Sequence, residues 1–426
     1  MRTEITINGS ADAAANYLPW TPAPCRIRLA DAGGLSGSVD VTLRNRDQNS
    51  GGQVVFYAAA GALEGHDELR LTLPTDGSPV DFFAGGKFGH PSTADQDAAI
   101  EVTETNGGAT LSLTRLMVRI RKDANTLTDA ERDRFVSALA TLNDRGMGRF
   151  SDFRNMHRSA ALDEAHGDAG FLPWHRAYLL DLERELQNLD PAVALPYWRF
   201  DRPAPRIFTR EFLGASVGGG GTVRFSPTNP LQFWVTDNTT GIRRTPRFDT
   251  ATQPASNSAG AVIDEQTTLR LGEGQGNLYE AFVQMEGQPH GRAHVSFTGY
   301  ISNAATAPQD PLFFLLHANV DRLWAKWQWF YHRFDTTSVA TYTYLGSAED
   351  QGATRIGHNL QDTMWPWNQD TNDPRPATAP GGRFAASAIV NAPGASPAVF
   401  DMVDFQGTLD RPRRLGFDYD DVPFEV

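Results

Sequence analysis

Cysteine is almost absent from this chain of 426 residues, which contains only Cys25. A single thiol excludes any disulfide within the chain, so this is not a small domain framed by disulfides. Long hydrophobic runs are also lacking, and no stretch approaches the length that a membrane span requires. The first residues contain one basic side chain and no apolar stretch after it, which is unlike a secretory signal. We therefore expect a cytoplasmic protein with no membrane partner.

The sequence also has fewer basic residues than acidic ones. Lys and Arg number 38 against 51 Asp and Glu, which gives a formal net charge of −13 at pH 7. A nucleic-acid partner would require a basic face that neutralises phosphates, so the composition argues against one. Hydrophobic residues make up 40% of the chain and include 25 Phe and 9 Trp. That is ample core for a large globular domain or for several domains.

Residues 1–113 predict an N-terminal antiparallel β-sandwich. Short segments in which apolar and polar residues alternate recur here, namely 25–29, 39–43, 53–57, 68–73 and 110–113. Glycine, aspartate and proline separate these segments, as is typical of the tight connections between antiparallel strands.

The hydrophobic pattern changes to a helical period after about residue 114. Thr128 and Glu131 form a capping box, and apolar residues follow it at helical spacing. Similar spacing predicts a helix directly after His175 and another over about 311–331. Residues 215–275 are rich in Gly, Ser, Thr and Asn, which indicates long loops of the kind that often border a site. We therefore expect a mixed fold, with a helical core over 114–335 and an irregular or β extension over 336–426 packed on it.

Six of the ten histidines fall into two groups of three. The groups are His157, His166 and His175, and His290, His294 and His317. Neutral imidazole is a good ligand for copper, zinc, iron and nickel. Neither group has a cysteine or carboxylate in the expected ligand positions. The pattern predicts two metal ions with open coordination positions, which favours dioxygen chemistry at a copper pair.

The spacing of the second group also invites comparison with zinc proteases. On a helix, His290 and His294 would project from one face about one turn apart. In the zinc-protease pattern, a glutamate that acts as general base directly follows the first histidine. Gly291 occupies that position here, so the protease interpretation lacks its base.

Two longer motifs resemble the copper-binding regions of the type 3 copper proteins, the group of tyrosinases, catechol oxidases and hemocyanins. The stretch FLPWHR at 171–176 resembles the end of the first region, and DPLFFLLHANVDRLW at 310–324 resembles the second. The resemblance covers roughly 115–335. It implies a helix bundle in which each histidine group holds one of two copper ions bridged by O2 or hydroxide. Cys25 lies in the predicted N-terminal domain, so the thioether link of plant and fungal members is absent, as in bacterial members.

The resemblance implies an oxidoreductase that uses O2 to oxidise o-diphenols to o-quinones. Glu286 matches the glutamate that holds a water near the second copper in plant-like members, and it would accept the phenol's proton. Gly291, where tyrosinases often carry asparagine, favours diphenols or o-aminophenols. Ala304 stands where some plant catechol oxidases place phenylalanine, so a pocket that also includes Val295 would be open. These two signs conflict, and ortho-hydroxylation of monophenols stays undecided.

Four further residues are expected to support the metal ligands rather than to bind metal. Asn319, Asp321 and Arg176 would anchor helices and orient ligands, and Phe313 would belong to a low-dielectric shell around the metals. The expected partners are a small phenol and O2, and a copper-delivery protein would fit the same scheme. Two alternatives remain open. One is an oxygen carrier that leaves catechol unoxidised, and the other is a non-catalytic binding protein that holds no copper.

Overall fold

The computed structural model describes residues 1–46, 51–60, 62, 64–158, 162–348 and 355–424. The chain divides into two units. The first comprises Met1–Arg121, Ser387–Ala392 and Gln406–Val426, and the second comprises Lys122–Ala386 and Pro393–Phe405. Residues 336–426, for which the sequence predicts one extension, thus contribute to both units.

Strands make up most of the first unit. They are β1 (Arg2–Ile7), β2 (Tyr17–Leu18), β3 (Ala23–Asp31), β4 (Ser38–Asn45), β5 (Val54–Tyr57), β6 (Glu68–Pro74), β7 (Val80–Gly86), β8 (Ala98–Glu104) and β9 (Thr110–Val118). One sheet has the order β1-β3-β7-β5, and the other has the order β2-β9-β8-β4-β6. The β2–β9 pair is parallel, and the other pairs in these sheets are antiparallel.

Alternating burial explains why these segments form strands. In β3, Cys25, Ile27 and Leu29 are buried, whereas Arg26 and Arg28 are exposed. Successive side chains of a strand point to opposite faces, so this alternation gives each strand one apolar face. The apolar residues of both sheets contribute to one hydrophobic cluster, and each large side chain buried there contributes about 1.5–3 kcal/mol. The prediction of a strand-rich N-terminal region is confirmed.

Asp418 holds the C-terminal segment in the first unit. Its carboxylate accepts hydrogen bonds from the Thr21 N–H at 2.9 Å, the Thr21 hydroxyl at 3.1 Å and the Gln406 amide at 2.7 Å. Burial raises the pKa of Asp418 to about 6. These long-range bonds explain why the last residues belong with the N-terminal strands rather than to a separate extension.

Helices dominate the second unit. They are α1 (Asp129–Asn143), α2 (Phe150–Met156), α3 (Leu162–Ala165), α4 (Phe171–Leu189), α5 (Glu265–Leu269), α6 (Tyr279–Phe282), α7 (Arg292–Val295) and α8 (Leu312–Tyr331). Short strands lie between them: β10 (Val235–Thr236), β11 (Thr239–Thr240), β12 (Arg244–Pro246), β13 (Ser256–Asn257), β14 (Gly260–Ala261) and β15 (Phe297–Gly299). None of the helices in the described ranges combines the length and hydrophobicity that a membrane-spanning segment needs.

Helix α1 begins where the sequence places it, and α8 begins and ends close to its predicted bounds. The capping box of α1 is confirmed, since the Glu131 N–H donates to the Thr128 hydroxyl and the Glu131 carboxylate accepts from the Thr128 N–H. The helix expected over 311–331 is α8. Residues 215–275 form mostly loops, as predicted, interrupted by short strands and by helix α5.

Helices α4 and α8 pack against each other and are buried over most of their length. Arg176 on α4 donates from Nε to the carboxylate of Asp321 on α8 at 2.5 Å, and the two side chains are 0% and 1% exposed. The Arg176 guanidinium also donates to the Gln328 side chain and to the Met402 carbonyl, and it lies 3.7 Å from the ring centre of Trp324. This buried ion pair fixes the two helices in one register.

Removing one partner of this pair tests its contribution. We expect Asp321→Ala to lower the free energy of unfolding by about 3–5 kcal/mol, because the Arg176 charge would remain buried without its carboxylate. Urea denaturation of the metal-free protein measures the change. Glu273→Ala, which removes an exposed carboxylate 4.0 Å from Arg270, is the control and should change the stability little. Equal effects of the two substitutions would contradict the assigned role.

Candidate metal centre

Three helical segments of the second unit bring the first histidine group together. His157 directly follows α2, His166 directly follows α3, and His175 lies near the N-terminal end of α4. His157 and His175 are buried, and His166 is partly exposed. One ring nitrogen from each side chain lies within 4.8 Å of the other two. The group therefore has the geometry of three ligands to one ion.

The second group also comes from three segments. His290 lies in the kinked turn Gly287–Gly291, His294 lies in α7, and His317 lies in the buried first half of α8. As the spacing predicts, the backbone between these two histidines is helical at Gly291 and Arg292, and the break in the helix lies earlier, at Gln288 (φ −148°, ψ 117°). Here too one ring nitrogen of each side chain lies within 4.8 Å of the others, and only His294 is partly exposed.

The two groups are neighbours because α4 packs on α8. The rings of His175 and His317 are stacked with centroids 4.2 Å apart and an interplanar angle of 13°. The rings of His166 and His290 lie 6.5 Å apart. Two ions held by these groups would therefore be close enough to act on one small molecule.

Backbone carbonyls orient four of the six imidazoles. Nδ1 of His157 faces the Ala304 carbonyl at 3.1 Å, and Nδ1 of His175 faces the Phe171 carbonyl at 2.8 Å. A carbonyl oxygen can only accept, so Nδ1 carries the hydrogen in each of these rings.

The second group repeats this arrangement. Nδ1 of His290 donates to the Glu286 carbonyl, and Nδ1 of His294 donates to the Ile301 carbonyl, each at 2.7 Å. This is the arrangement in which histidines bind metals, with the other ring nitrogen left as the ligand.

The remaining nitrogens, Nε2, point at one another. The Nε2 atoms of His157 and His175 are 3.3 Å apart, and those of His290 and His294 each lie 3.2 Å from Nε2 of His317. Lone pairs that face each other at this distance repel unless a cation lies between them. Metal–nitrogen bonds of about 2.0–2.1 Å at a tetrahedral angle would separate two such atoms by about 3.3 Å. The residues present therefore fit a metal ion in each group.

Burial keeps these imidazoles neutral. It holds the pKa values of His157, His175, His290 and His317 well below the ordinary 6.5, and the neighbouring histidines lower them further. Desolvation lowers the pKa of His294 to about 4. Neutral imidazole is the form that binds metal, so ligand and proton do not compete at pH 7.

Two phenylalanines pack against both histidine groups. Phe313 stacks on His317 with ring centroids 4.1 Å apart and contacts His157 at 4.8 Å. Phe171 contacts His175 and His290, each at 4.8 Å. The predicted shell residue Phe313 thus lies at the centre itself. Such an apolar shell lowers the local dielectric constant and limits the access of water.

Glu286 connects the segments of the two groups. Both of its carboxylate oxygens lie 3.0 Å from the N–H of Gly167, the residue after His166, while its backbone carbonyl accepts from His290. Burial raises the pKa of Glu286 to about 7, and the nearby Asp168 acts in the same direction. The structure therefore places this predicted catalytic carboxylate beside both groups, with a proton affinity suited to transfer near neutral pH.

The three predicted pocket residues lie close to the histidines. Gly291 and Val295 are on the segments that carry the second histidine group, and Ala304 contacts the first group. Val295 is exposed and follows His294 directly, and Ala304 is exposed while its carbonyl orients His157. A Cβ added at Gly291 would meet the Glu286 carbonyl oxygen at 3.2 Å and nothing else within 4 Å. The small residues at 291 and 304 thus leave space beside the histidines.

Asn319, Asp321 and Arg176 are buried in the core beneath the histidines. Asp321 and Arg176 form the ion pair between α4 and α8 described above. The side-chain oxygen of Asn319 accepts a hydrogen bond from Arg322 at 3.1 Å. Their contacts are those of helix-anchoring residues.

Two residues that bind the loop around His166 could not be identified from the sequence. The ring of His358 binds the backbone on either side of His166, and the hydroxyl of Tyr279 donates to the Ala169 carbonyl at 2.6 Å. His358 and Gly170 are 188 residues apart. No local pattern could therefore have indicated this contact.

Comparison with known proteins agrees with this geometry. Residues 147–330 match the sequence profile of the common central domain of tyrosinase. The tyrosinase of Streptomyces antibioticus is 32% identical over 274 residues, which cover 59% of this chain and 94% of that protein. This chain belongs to the tyrosinase family. It is therefore a polyphenol oxidase-type enzyme that acts on phenols, and its cofactor is a pair of copper ions.

Other members of the family and several solved structures are also similar. The grixazone synthase of Streptomyces griseus is 29% identical over 264 residues, or 50% of this chain and 85% of that protein. The structure of the tyrosinase from Burkholderia thailandensis superposes with a TM-score of 0.43 at 18% identity, covering 71% of this chain and 73% of that one. A polyphenol oxidase from Thermothelomyces thermophila gives a TM-score of 0.48 at 21% identity, covering 71% and 88% of the two chains.

The ligand geometry predicts how copper binding depends on each histidine group. We expect His175→Ala and His317→Ala each to reduce the copper content from two ions per chain towards one, because each substitution leaves only two nitrogens in one group. Metal analysis after copper loading and dialysis measures the content. His90→Ala, at an exposed histidine in the first unit, should retain both ions. Full copper content in the two centre variants would contradict the assignment.

Proposed function

We propose that this tyrosinase-family enzyme oxidises o-diphenols to o-quinones with O2 as the oxidant. Two diphenol molecules would each lose two electrons and two protons, and one O2 would be reduced to two molecules of water. The observation that carries this proposal is the pair of adjacent groups of converging, neutral imidazole nitrogens. When bound, the copper pair supplies the binding and reduction of O2.

The ligand assignment is part of the proposal. His157, His166 and His175 would hold one copper ion, and His290, His294 and His317 would hold the other. Each group contains one partly exposed imidazole, His166 in the first and His294 in the second. A planar phenol could approach from solvent past these two rings, whereas the buried rings close the rest of the centre.

Glu286 is the proposed proton acceptor for the phenol. A carboxylate offers about four lone-pair sites, so its contact with the single N–H of Gly167 leaves capacity for a water or a phenol hydroxyl. Its raised pKa, about 7, makes it a better base than an ordinary glutamate. Proton removal matters here because a phenolate binds to a cation more strongly than the neutral phenol does.

The second candidate reaction is the ortho-hydroxylation of monophenols at the same centre. The space beside Ala304 supports it, because no bulky side chain stands at that position to exclude a phenol. The absence of a side chain at Gly291 favours diphenols instead, since Glu286 then lacks a neighbouring amide that would help it to hold a water. We therefore place diphenol oxidation first and monophenol hydroxylation second, with o-aminophenols as a further substrate class to be compared.

The first unit has a proposed architecture rather than a proposed activity. We infer that its two sheets pack face to face as a β-sandwich. Support comes from the single hydrophobic cluster to which both sheets contribute, through residues such as Ile27 and Phe82 in one sheet and Val41 and Ile100 in the other.

Oxygen uptake by the copper-loaded enzyme tests which substrate class is oxidised fastest. We expect rapid uptake with catechol and slower uptake, with a lag, for a matched monophenol such as 4-methylphenol. An o-aminophenol should be intermediate. Uptake with none of the three by a protein that holds two copper ions would contradict the oxidase proposal and favour an oxygen carrier. Failure to bind copper would favour a non-catalytic binding protein.

The conservative substitution Glu286→Gln tests the proposed proton transfer while leaving the metal ligands in place. We expect Glu286→Gln to lower kcat for catechol by about 100-fold, since a positioned general base contributes factors of this order. The amide oxygen can still accept from Gly167, and the backbone carbonyl still orients His290, so the copper content should stay at two. Steady-state kinetics and metal analysis together make the test. A variant that lost copper and activity in parallel would show a structural rather than a catalytic role.

A further inference from the structure

The loop that carries His166 is bound by a histidine from a distant part of the second unit. His358 is buried, with 5% of its surface exposed. Its Nδ1 accepts a hydrogen bond from the Gly170 N–H at 2.9 Å, and its Nε2–H donates to the Asp163 carbonyl at 2.8 Å. Asp163 lies in α3, before His166, and Gly170 is the cap residue of α4, after it. One imidazole thus joins the backbone on both sides of the ligand.

The fit around this imidazole is tight. A Cβ added at Gly170 would lie 2.7 Å from His358 Nδ1 and 2.8 Å from the Gly357 carbonyl oxygen. Both distances are far inside van der Waals contact. The position therefore requires glycine for the ring to reach the backbone N–H.

Two further side chains bind the same loop. The Tyr279 hydroxyl donates to the Ala169 carbonyl at 2.6 Å, and the Gly167 N–H donates to the carboxylate of Glu286. Between residues 163 and 170, backbone groups at four positions are therefore bound by three side chains, two from residues 279–286 and one from His358.

Local structure alone holds this loop weakly. The helix before His166, α3, has four residues, and so short a helix has almost no stability of its own in water. His166 is also the partly exposed member of its group. The position of its ring must therefore depend on the long-range contacts of the loop.

We propose that His358 is a positioning residue for the first copper ion. By bonding to Asp163 and Gly170 at once, it holds the loop in the shape that presents His166 to the metal. The inference rests on the proposed ligand set. It adds a residue that touches neither metal nor substrate and that acts through the backbone.

Hydrogen exchange in the metal-free protein tests whether His358 holds the loop. His358→Phe keeps a buried ring and removes both hydrogen bonds. We expect exchange of the Gly170 amide to accelerate about 10-fold, the size of effect expected when one hydrogen bond is lost. His358→Gln carries both an acceptor and a donor, so it should restore part of the protection. Unchanged exchange at Gly170 in His358→Phe would overturn the proposal.

The rate of copper release tests whether the loop, held by His358, presents His166 to the first copper ion. With a chelator in excess, we expect His358→Phe to release one copper ion about 10–100-fold faster than the wild type, as for other residues that orient a metal ligand. The second ion should leave at the wild-type rate, and His358→Gln should lie between the two proteins. Equal acceleration for both ions would indicate general destabilisation and would overturn the proposal.

Two control variants separate positioning from loss of stability. Leu186→Ala truncates a buried side chain of α4 far along the helix from the centre, so it should destabilise the unit without favouring release of one ion. His90→Phe changes an exposed histidine of the first unit and should behave as the wild type. If the wild-type chain bound no copper, the proposed function would fail, whereas the exchange experiment would still decide whether His358 holds the loop.

Discussion

The packing of α4 on α8 is the constraint on which the rest of the metal centre depends. Each helix contributes one buried histidine, and the Arg176–Asp321 pair sets the register in which the rings of His175 and His317 stack. Burying two charges carries a large desolvation cost. The contacts of Arg176 with a carbonyl and an amide side chain offset part of it. The buried ligands His175 and His317 therefore lie on packed, buried helices.

Backbone carbonyls and burial then prepare the ligands. Four imidazoles donate Nδ1–H to backbone carbonyls, three of them nearby in the sequence and one, that of Ala304, 147 residues from His157, so Nε2 is the free nitrogen. Burial lowers the pKa values that would otherwise allow protonation. The converging lone pairs disfavour the empty arrangement and favour a cation between them. The same burial raises the pKa of Glu286, so one physical effect keeps the imidazoles neutral and increases the proton affinity of this carboxylate.

The centre combines ligands of two kinds. His175 and His317 lie in helices of 19 and 20 residues, whereas His166 and His294 follow or occupy helices of four residues. The short elements depend on contacts from elsewhere in the chain, and the ligands they carry are also the partly exposed ones. Partial exposure and dependence on long-range contacts thus coincide at these two ligands, and side chains such as Glu286 supply such contacts.

Local sequence alone determined the histidine groups, the capping box of α1 and the extent of α8, because hydrophobic period and motif spacing act within one or two helical turns. Resemblance to the type 3 copper proteins also indicated Glu286. Only the tertiary structure decided which ring nitrogens face the metals, how the C-terminal segment divides between the units, and that His358 binds the loop of His166. These features arise from contacts between residues as much as 397 positions apart. Such contacts form only when the chain folds, so a local pattern in the sequence does not reveal them.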